Sequence, residues 1–420
     1  MATAVDLVVH GAGQLLTLGG DGPRSGEAMR QLGLIPDGAV AIADGRVVAT
    51  GTTSDVESRY CARRDIDAAG RVVLPGLVDA HTHPVFAGSR QDEFERRIAG
   101  ATYLEIMAAG GGIMSTVRAT RAATVSQLVE EAQPRLARML AHGTTTAEAK
   151  TGYGLTTADE LKCLEAIRQL SDLQPVELVP TFLGAHAVPD EYAGRAEEYA
   201  SLVINEMLPA VCQTSQLPAL FCDVFCDEGA FDLLQTRRIM VAAKKWGLGL
   251  KVHADEFAHL GSVPLAAALG AVSVEHLLHT PRSELEAAAT AGLIAVLLPG
   301  TPFGLGQNEY AAARTMIAIG LPVALGTDLN PGTCYCESMP LIMALACRFM
   351  GMTPAEVIVA STVNAAHAIG RGSELGRLQP GFQADLLILN ADDYRHLAYR
   401  FGGNLAQTVI KKGKVVVSQA

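Results

Sequence analysis

Two histidines separated by one residue, His81 and His83, end an apolar run, Gly76–His83, with the composition of a buried strand. Residues i and i+2 of a strand point to the same face, so both imidazoles can reach one ion. Other strand-like runs end in His253, His276 and Asp328. Imidazoles and a carboxylate, with one position left for water, form the donor set of a catalytic zinc or iron site. A lone histidine at a strand end is more often a hydrogen-bonded core or surface residue. Here four of the 11 histidines fall at such ends, two of them as H-x-H, and an aspartate completes the set. A metal site is therefore the stronger reading. His10, His142, His259, His279, His367 and His396 have no such placement.

The elements that must position these residues follow from periodicity. Eight strand candidates run in order: Gly76–His83, Thr144–Lys150, Val176–His186, Leu220–Cys226, Leu248–His253, Val272–His276, Leu293–Leu298 and Val323–Asp328. Between them lie amphipathic stretches such as Val125–His142, Ala158–Leu170, Gln235–Trp246 and Glu309–Ile319. Strict alternation implies a parallel sheet, and eight repeats imply an α/β fold closed as a (β/α)₈ TIM-type barrel with its site at the strand C-termini. An open doubly wound sheet would want a G-x-G-x-x-G loop after an early strand, and none appears there. Outside the barrel, Ala39–Ala49 reads as a hairpin turning at Asp44-Gly45. Ala384–Leu389 and Lys414–Val417 read as strands, with a turn at Lys412-Gly413. Neither end has enough residues for its own core. The expected organisation is residues 1–75 and 371–420 joined in one small β-sandwich beside a catalytic barrel at 76–370.

Composition narrows the function. Of 420 residues, 49% are hydrophobic and 5% aromatic, so the core is aliphatic. A formal charge of −11 disfavours nucleic acid and anionic membrane as partners, and it requires a local cation for any anionic substrate. Eight cysteines without paired spacing read as reduced and buried, hence a cytoplasmic protein. The Cys334-x-Cys336 pair leaves a soft-metal site as a minor alternative. Met1–Leu18 has no basic n-region or small-residue cleavage site, and no apolar run reaches the ~18 residues that span a bilayer.

Longer stretches carry a resemblance. Pro75–His83 resembles the first-strand motif of the amidohydrolase superfamily, and Gly376–Leu386 resembles its return into the sandwich. His81–Arg90, Tyr103–Arg121, Lys150–Leu155, Thr181–Pro189, Phe221–Cys226, His253–Phe257, Leu298–Pro302 and Thr327–Gly332 are similar to the imidazolonepropionase family within it. Leu329 and Thr333 stand where Phe and Ser are usual in that family. The resemblance implies a metal-dependent cyclic amidohydrolase acting on 4-imidazolone-5-propanoate in histidine degradation, as a homodimer. It implies one divalent ion per subunit, zinc before iron, held by His81, His83, His253 and Asp328 with His276 beside them. Two-metal members use a carbamylated lysine at the end of strand four, and Leu220–Gly229 has no lysine. Lys150 sits on strand two, in either a buried salt bridge or a substrate-side role.

The implied substrate carries a carboxylate. Arg90 is placed to clamp it bidentately, against the alternative of an ion pair with Asp92 or Glu93. Tyr153 and His186 join it as substrate contacts, against loop packing and a satisfied core histidine. Asn330, Gly332 and Thr333 are implied as further contacts, while Asn-Pro-Gly is also plain turn chemistry. The implied catalytic group is Asp328 orienting and deprotonating the water, His276 stabilising the oxyanion, and Glu256 contacting the ring and relaying a proton to the leaving nitrogen. A metal-dependent nucleobase deaminase is the nearest competing activity, and the carboxylate clamp discriminates it. A barrel that has lost its metal is the non-catalytic competitor, and a metal assay separates it.

Overall fold

A computed structural model describes residues 2–101, 105, 110–213 and 219–419. Residues 102–104 and 106–109 of the Tyr103–Arg121 motif, Tyr103 included, lie outside the described residues.

Eight parallel strands follow one another around a barrel. They are β8 (Leu77–Asp79), β9 (Thr144–Lys150), β10 (Glu177–Ala185), β11 (Phe221–Cys226), β12 (Gly249–Ala254), β13 (Ser273–His276), β14 (Ile294–Leu297) and β15 (Val323–Leu325). The ring closes between the segments after β15 and β8, where Asp328 N–H donates to the His81 carbonyl and His83 N–H to the Leu329 carbonyl, both at 2.9 Å. The first and last strands are shorter than their apolar runs suggest. Asp79 explains both: its carboxylate accepts from the Thr327 amide at 2.9 Å and the Thr327 hydroxyl at 2.6 Å. A side chain thus replaces ladder bonds at the seam, and His81, His83 and Asp328 stand just beyond regular strand.

Helices pack outside the ring. Val125–Ala141 and Leu233–Lys245 each begin with a capping box, Thr124 with Gln127 and Asp232 with Gln235, which satisfies two otherwise unpaired amides per helix. The Glu309–Ile319 pattern contracts to the helix Ala313–Ala318, and Glu309 precedes it.

The chain ends form two further sheets. One holds β5 (Arg46–Thr52), β4 (Gly38–Ala43), β1 (Thr3–Ala12) and β6 (Tyr60–Asp67). The other holds β18 (Lys414–Ser418), β17 (Ala406–Lys411), β16 (Leu386–Leu389), β7 (Val72–Pro75), β2 (Gln14–Leu16) and β3 (Leu34–Ile35). Asp44 and Gly45 both have positive φ, 51° and 72°, as a tight hairpin with the twist of its strands requires. Leu7, Val9 and Ile42 of the first sheet pack against Val73, Leu386 and Ile388 of the second, each burial worth about 1.5–3 kcal/mol. Strands β7 and β16 pair antiparallel, Leu74 opposite Leu387, so the element leading into the barrel is held by one near the other end of the chain. No helix among the described residues is long and apolar enough to cross a membrane. All eight cysteines are free.

Candidate active site

The H-x-H spacing delivers both rings to one point. His81 Nε2 and His83 Nε2 lie 3.2 Å apart, and Asp328 Oδ1 is 3.4 Å from the first and 3.5 Å from the second. Two ligands bound at ~2.05 Å with tetrahedral angles stand about 3.3 Å apart, so this triangle has the dimensions of one face of a zinc-type site. His253 stacks edge-on against His81, ring centroids 4.5 Å apart. Its Nε2 is buried without a hydrogen-bond partner, as are both nitrogens of His276. Orphaned buried nitrogens beside a carboxylate are costly unless something binds them. The donor set therefore fits a divalent transition metal. His276 lies within the same constellation, its donor atom within 4.8 Å of those of His81 and His253.

Two of the rings are aimed from behind, whereas His83 Nδ1 is buried without a hydrogen-bond partner. His81 Nδ1 abuts Glu275 Oε2, and His253 Nδ1 lies 2.9 Å from Asp223 Oδ2. Carboxylates on the Nδ1 side fix the tautomer that leaves Nε2 free as a ligand. Asp328 is steadied by the Thr301 hydroxyl, which donates to Oδ2 at 2.6 Å. Arg135 staples the loop after H-x-H by donating to the carbonyls of Pro84 and Phe86 at 3.0 and 2.9 Å. The backbone is left-handed at His276, Leu277 and Asp328, with φ of 72°, 63° and 52°. Such conformations in non-glycine residues cost of order 1–3 kcal/mol each and collect at functional sites.

Facing this cluster is Glu256, whose Oε2 lies 3.5 Å from His276 Nε2. The Asp227 carboxylate accepts from the amides of Glu256, Phe257 and Ala258 at 2.7, 2.9 and 2.9 Å, fixing that loop. Burial, then the nearby Asp328 and Asp227, push the Glu256 carboxyl well above its ordinary pKa. Burial alone would raise Asp328 too, but its contacts with His81, His276 and Thr301 hold it below the usual range. Two carboxylates driven in opposite directions are the signature of divided acid–base roles.

Of the remaining expected contacts, Tyr153 and His186 pack beside the histidine cluster, while Arg90, Gly332 and Thr333 border a cavity that the cluster does not line. Tyr153 is buried, its ring 5.3 Å from His186 and 6.0 Å from His83. His186 stacks on His83 at 5.1 Å and makes a 3.0 Å hydrogen bond between Nδ1 and the Gly152 carbonyl. Burial and the neighbouring His253 lower its pKa to about 3. Arg90 has the Glu93 partner foreseen as its alternative: Nε and Nη2 lie 2.9 and 2.8 Å from Glu93 Oε2. Its Nη1 lies against Gly332, where an added Cβ would come within 2.1 Å. Asn330 likewise serves a turn, its Oδ1 accepting from the amides of Gly332 and Thr333 at 2.8 Å each and its Nδ2 donating to the Thr333 hydroxyl. Lys150 is wholly buried among carboxylates, away from a substrate-side position. A cavity of about 760 Å³ borders Arg90, Gly332, Thr333, Cys334 and Cys336, and no active-site histidine lines it. It therefore adjoins the 330–336 loop and not the histidine cluster.

Sequence reasoning missed Asp79, Asp223, Asp227, Glu275, Thr301, Arg97 and Arg135. Arg97 donates to the Gly332 carbonyl at 3.4 Å beside Arg90. One signal was available: Glu148, Asp223, Lys251 and Glu275 interrupt apolar strand runs, and a charge inside a buried strand needs a partner.

Comparison with known proteins shows the family of the chain. Residues 72–416 match the amidohydrolase family and residues 38–60 an imidazolonepropionase-like composite domain of bacteria. The chain is 55% identical to the imidazolonepropionase of Chloroflexus aggregans over 98% of its own length and 99% of that protein. It is 49% identical to that of Geobacillus kaustophilus over 98% of both chains. Among solved structures, an adenosine deaminase from Xanthomonas campestris superposes with a TM-score of 0.73 at 18% identity, over 100% of this chain and 94% of that one. E. coli guanine deaminase gives 0.73 at 14%, over 98% and 99%. At such identities the structural likeness is one of fold.

Proposed function

This chain belongs to the imidazolonepropionase branch of the amidohydrolase family, and we infer from that premise how its site opens the imidazolone ring. The reaction is hydrolysis of 4-imidazolone-5-propanoate to N-formimidoyl-L-glutamate, a step of histidine degradation. The observation that carries the mechanistic reading is the His81–His83–Asp328 triangle with sides of 3.2 to 3.5 Å.

We assign the ion, one per subunit and zinc before iron, to His81, His83, His253 and Asp328. When bound, it supplies a Lewis acid that acidifies water and polarises the ring carbonyl. Asp328, kept anionic by its neighbours, orients the attacking water and takes its first proton. His276 lies beside the ligands, where it hydrogen-bonds the carbonyl oxygen as charge develops there. Glu256 contacts the ring and carries the proton to the nitrogen released as the C–N bond breaks, a role suited to its raised pKa.

We further assign the propanoate to the wall made by Arg90, Tyr153, His186, Asn330, Gly332 and Thr333. Arg90 reaches it by sharing or exchanging Glu93. A nucleobase has no carboxylate for this wall to meet. The test is ring opening followed by ultraviolet absorbance with imidazolone propanoate, set against a panel of nucleobases and hydantoins. Turnover of the imidazolone alone is expected; preference for an uncharged ring overturns the assignment.

A further inference from the structure

Beneath the histidines lies a deeper layer with no part in the steps above. Its centre is the Lys150 ammonium at the end of β9. Nζ lies 2.6 Å from Asp223 Oδ2, 2.9 Å from Glu275 Oε2 and 3.0 Å from Glu148 Oε2. The Asp223 contact is a formed hydrogen bond, and the other two are close ionic contacts. All four residues are inaccessible to solvent. Lys251 Nζ takes the opposite oxygens, Glu275 Oε1 at 2.9 Å and Glu148 Oε1 at 3.1 Å. Three carboxylates against two ammonium groups leave one net negative charge in a dry layer. Without Lys150 the layer would hold two, and an uncompensated buried charge is strongly destabilising.

Asp223 and Glu275 are also the carboxylates that aim His253 and His81. Lys150 touches both, so one cation braces the backing of two metal-facing rings. Its surroundings are those a second dication would choose: three carboxylate oxygens converging within 3.0 Å of one point. The donor atoms of Asp223, His253 and Glu275 lie within 4.8 Å of one another. Contraction of under an ångström would bring such oxygens to the ~2.0–2.2 Å of a bound ion.

We propose that Lys150 is a tethered stand-in for a second metal ion, filling the place between Glu148, Asp223 and Glu275 and so fixing the centre at one metal. An ammonium carries three donors for three acceptors. Fixed to the backbone, it cannot dissociate when metal is scarce. Burial opposes its charge, but the three carboxylates hold the proton more tightly than usual. The inference rests on the single-metal reading above.

The test is Lys150→Ala in the full chain, loaded with excess zinc or manganese, dialysed, and examined by elemental analysis and thermal melting. Wild type is expected to keep one equivalent. Lys150→Ala is expected to keep two and to melt at higher temperature with added divalent cation, a response wild type lacks. A folded variant that keeps one equivalent and gains nothing from metal overturns the inference and leaves the single-metal reading intact. Stabilisation by ethylammonium but not by metal overturns it too, since the place is then one for an ammonium alone. Two equivalents in wild type defeat the single-metal reading itself. Should Lys150→Ala not fold, Lys150→Ala with Glu148→Gln removes one charge of each sign. This pair is expected to fold and keep one equivalent, and its failure to fold would show that Lys150 serves something other than charge.

Discussion

The two walls of the proposed site are built differently. The wall proposed for the metal rides on strand ends, and three of its four proposed ligands are braced from behind: Glu275 on His81, Asp223 on His253, Thr301 on Asp328. The wall proposed for substrate rides on loops whose polar groups are bonded to one another, Arg90 to Glu93 and Asn330 to Gly332 and Thr333. The first keeps its braced geometry without giving up a partner to substrate. The second must trade internal partners for substrate, so its affinity is a difference between two sets of bonds.

Substitutions should separate the walls sharply. The largest effect belongs to the metal-facing side: His81→Ala or Asp328→Ala should abolish turnover and lower metal content measured after dialysis. Activity in either variant would place the reacting centre elsewhere. Glu256→Gln should retain metal and lose about 10²–10⁴-fold in kcat, the usual worth of a positioned acid–base group. Its raised pKa gives the pH profile a sign. Because Glu256 acts in its protonated form, the limb it sets should lie above the ~4.3 of a free glutamate, with the rate falling as pH increases through it, and the glutamine variant should lose that limb.

Smaller changes probe the exchanging wall. Arg90→Ala should lower kcat/KM by roughly 30- to several-thousand-fold, from about 2–5 kcal/mol for a broken buried charge pair at ~1.4 kcal/mol per factor of ten. Arg90→Lys should recover little, because a point charge cannot replace a planar fork. Equal loss on a ring lacking the propanoate would make Arg90 a structural partner of Glu93. Gly332→Ala should be mildest. Its Cβ would come within 2.1 Å of Arg90 Nη1, so the guanidinium must shift, raising KM by roughly tenfold, about 1.4 kcal/mol, with kcat nearly unchanged. A fall in kcat alone would tie the loop to the reacting centre.

The metal-facing wall was also the legible one. H-x-H at the end of an apolar run points to one face of an extended chain, an alternation that the Thr82–Leu329 bridge carries past the end of the strand at Asp79, and His253 and Asp328 inherit their placement from barrel topology. The barrel strands fell within a residue or two of their apolar runs except at the seam, where Asp79 replaces ladder bonds with its side chain. The loops were less legible. Whether Arg90 pairs with Asp92, Glu93 or a ligand depends on where the following helix begins, and Gln91–Ile98 presents Glu93 to it. The deep ionic layer was hidden for another reason. Glu148, Lys150, Asp223, Lys251 and Glu275 come from four strands, and only register brings them together: Asp223 opposite Lys251, His253 opposite Glu275.

The antiparallel pairing of β7 with β16 bears on the order of assembly. Strand β7 runs straight into the segment carrying His81 and His83, and the Gly76 amide between them donates to the Asp385 carbonyl at 2.9 Å. On a ribosome those histidines emerge early, whereas the strand that anchors them emerges almost last. Contacts so distant in sequence form late, because the loop they close is long. A nascent chain therefore carries its two leading ligands unanchored through most of its synthesis. The proposed metal centre is assembled near release, when the barrel seam and the sandwich close together.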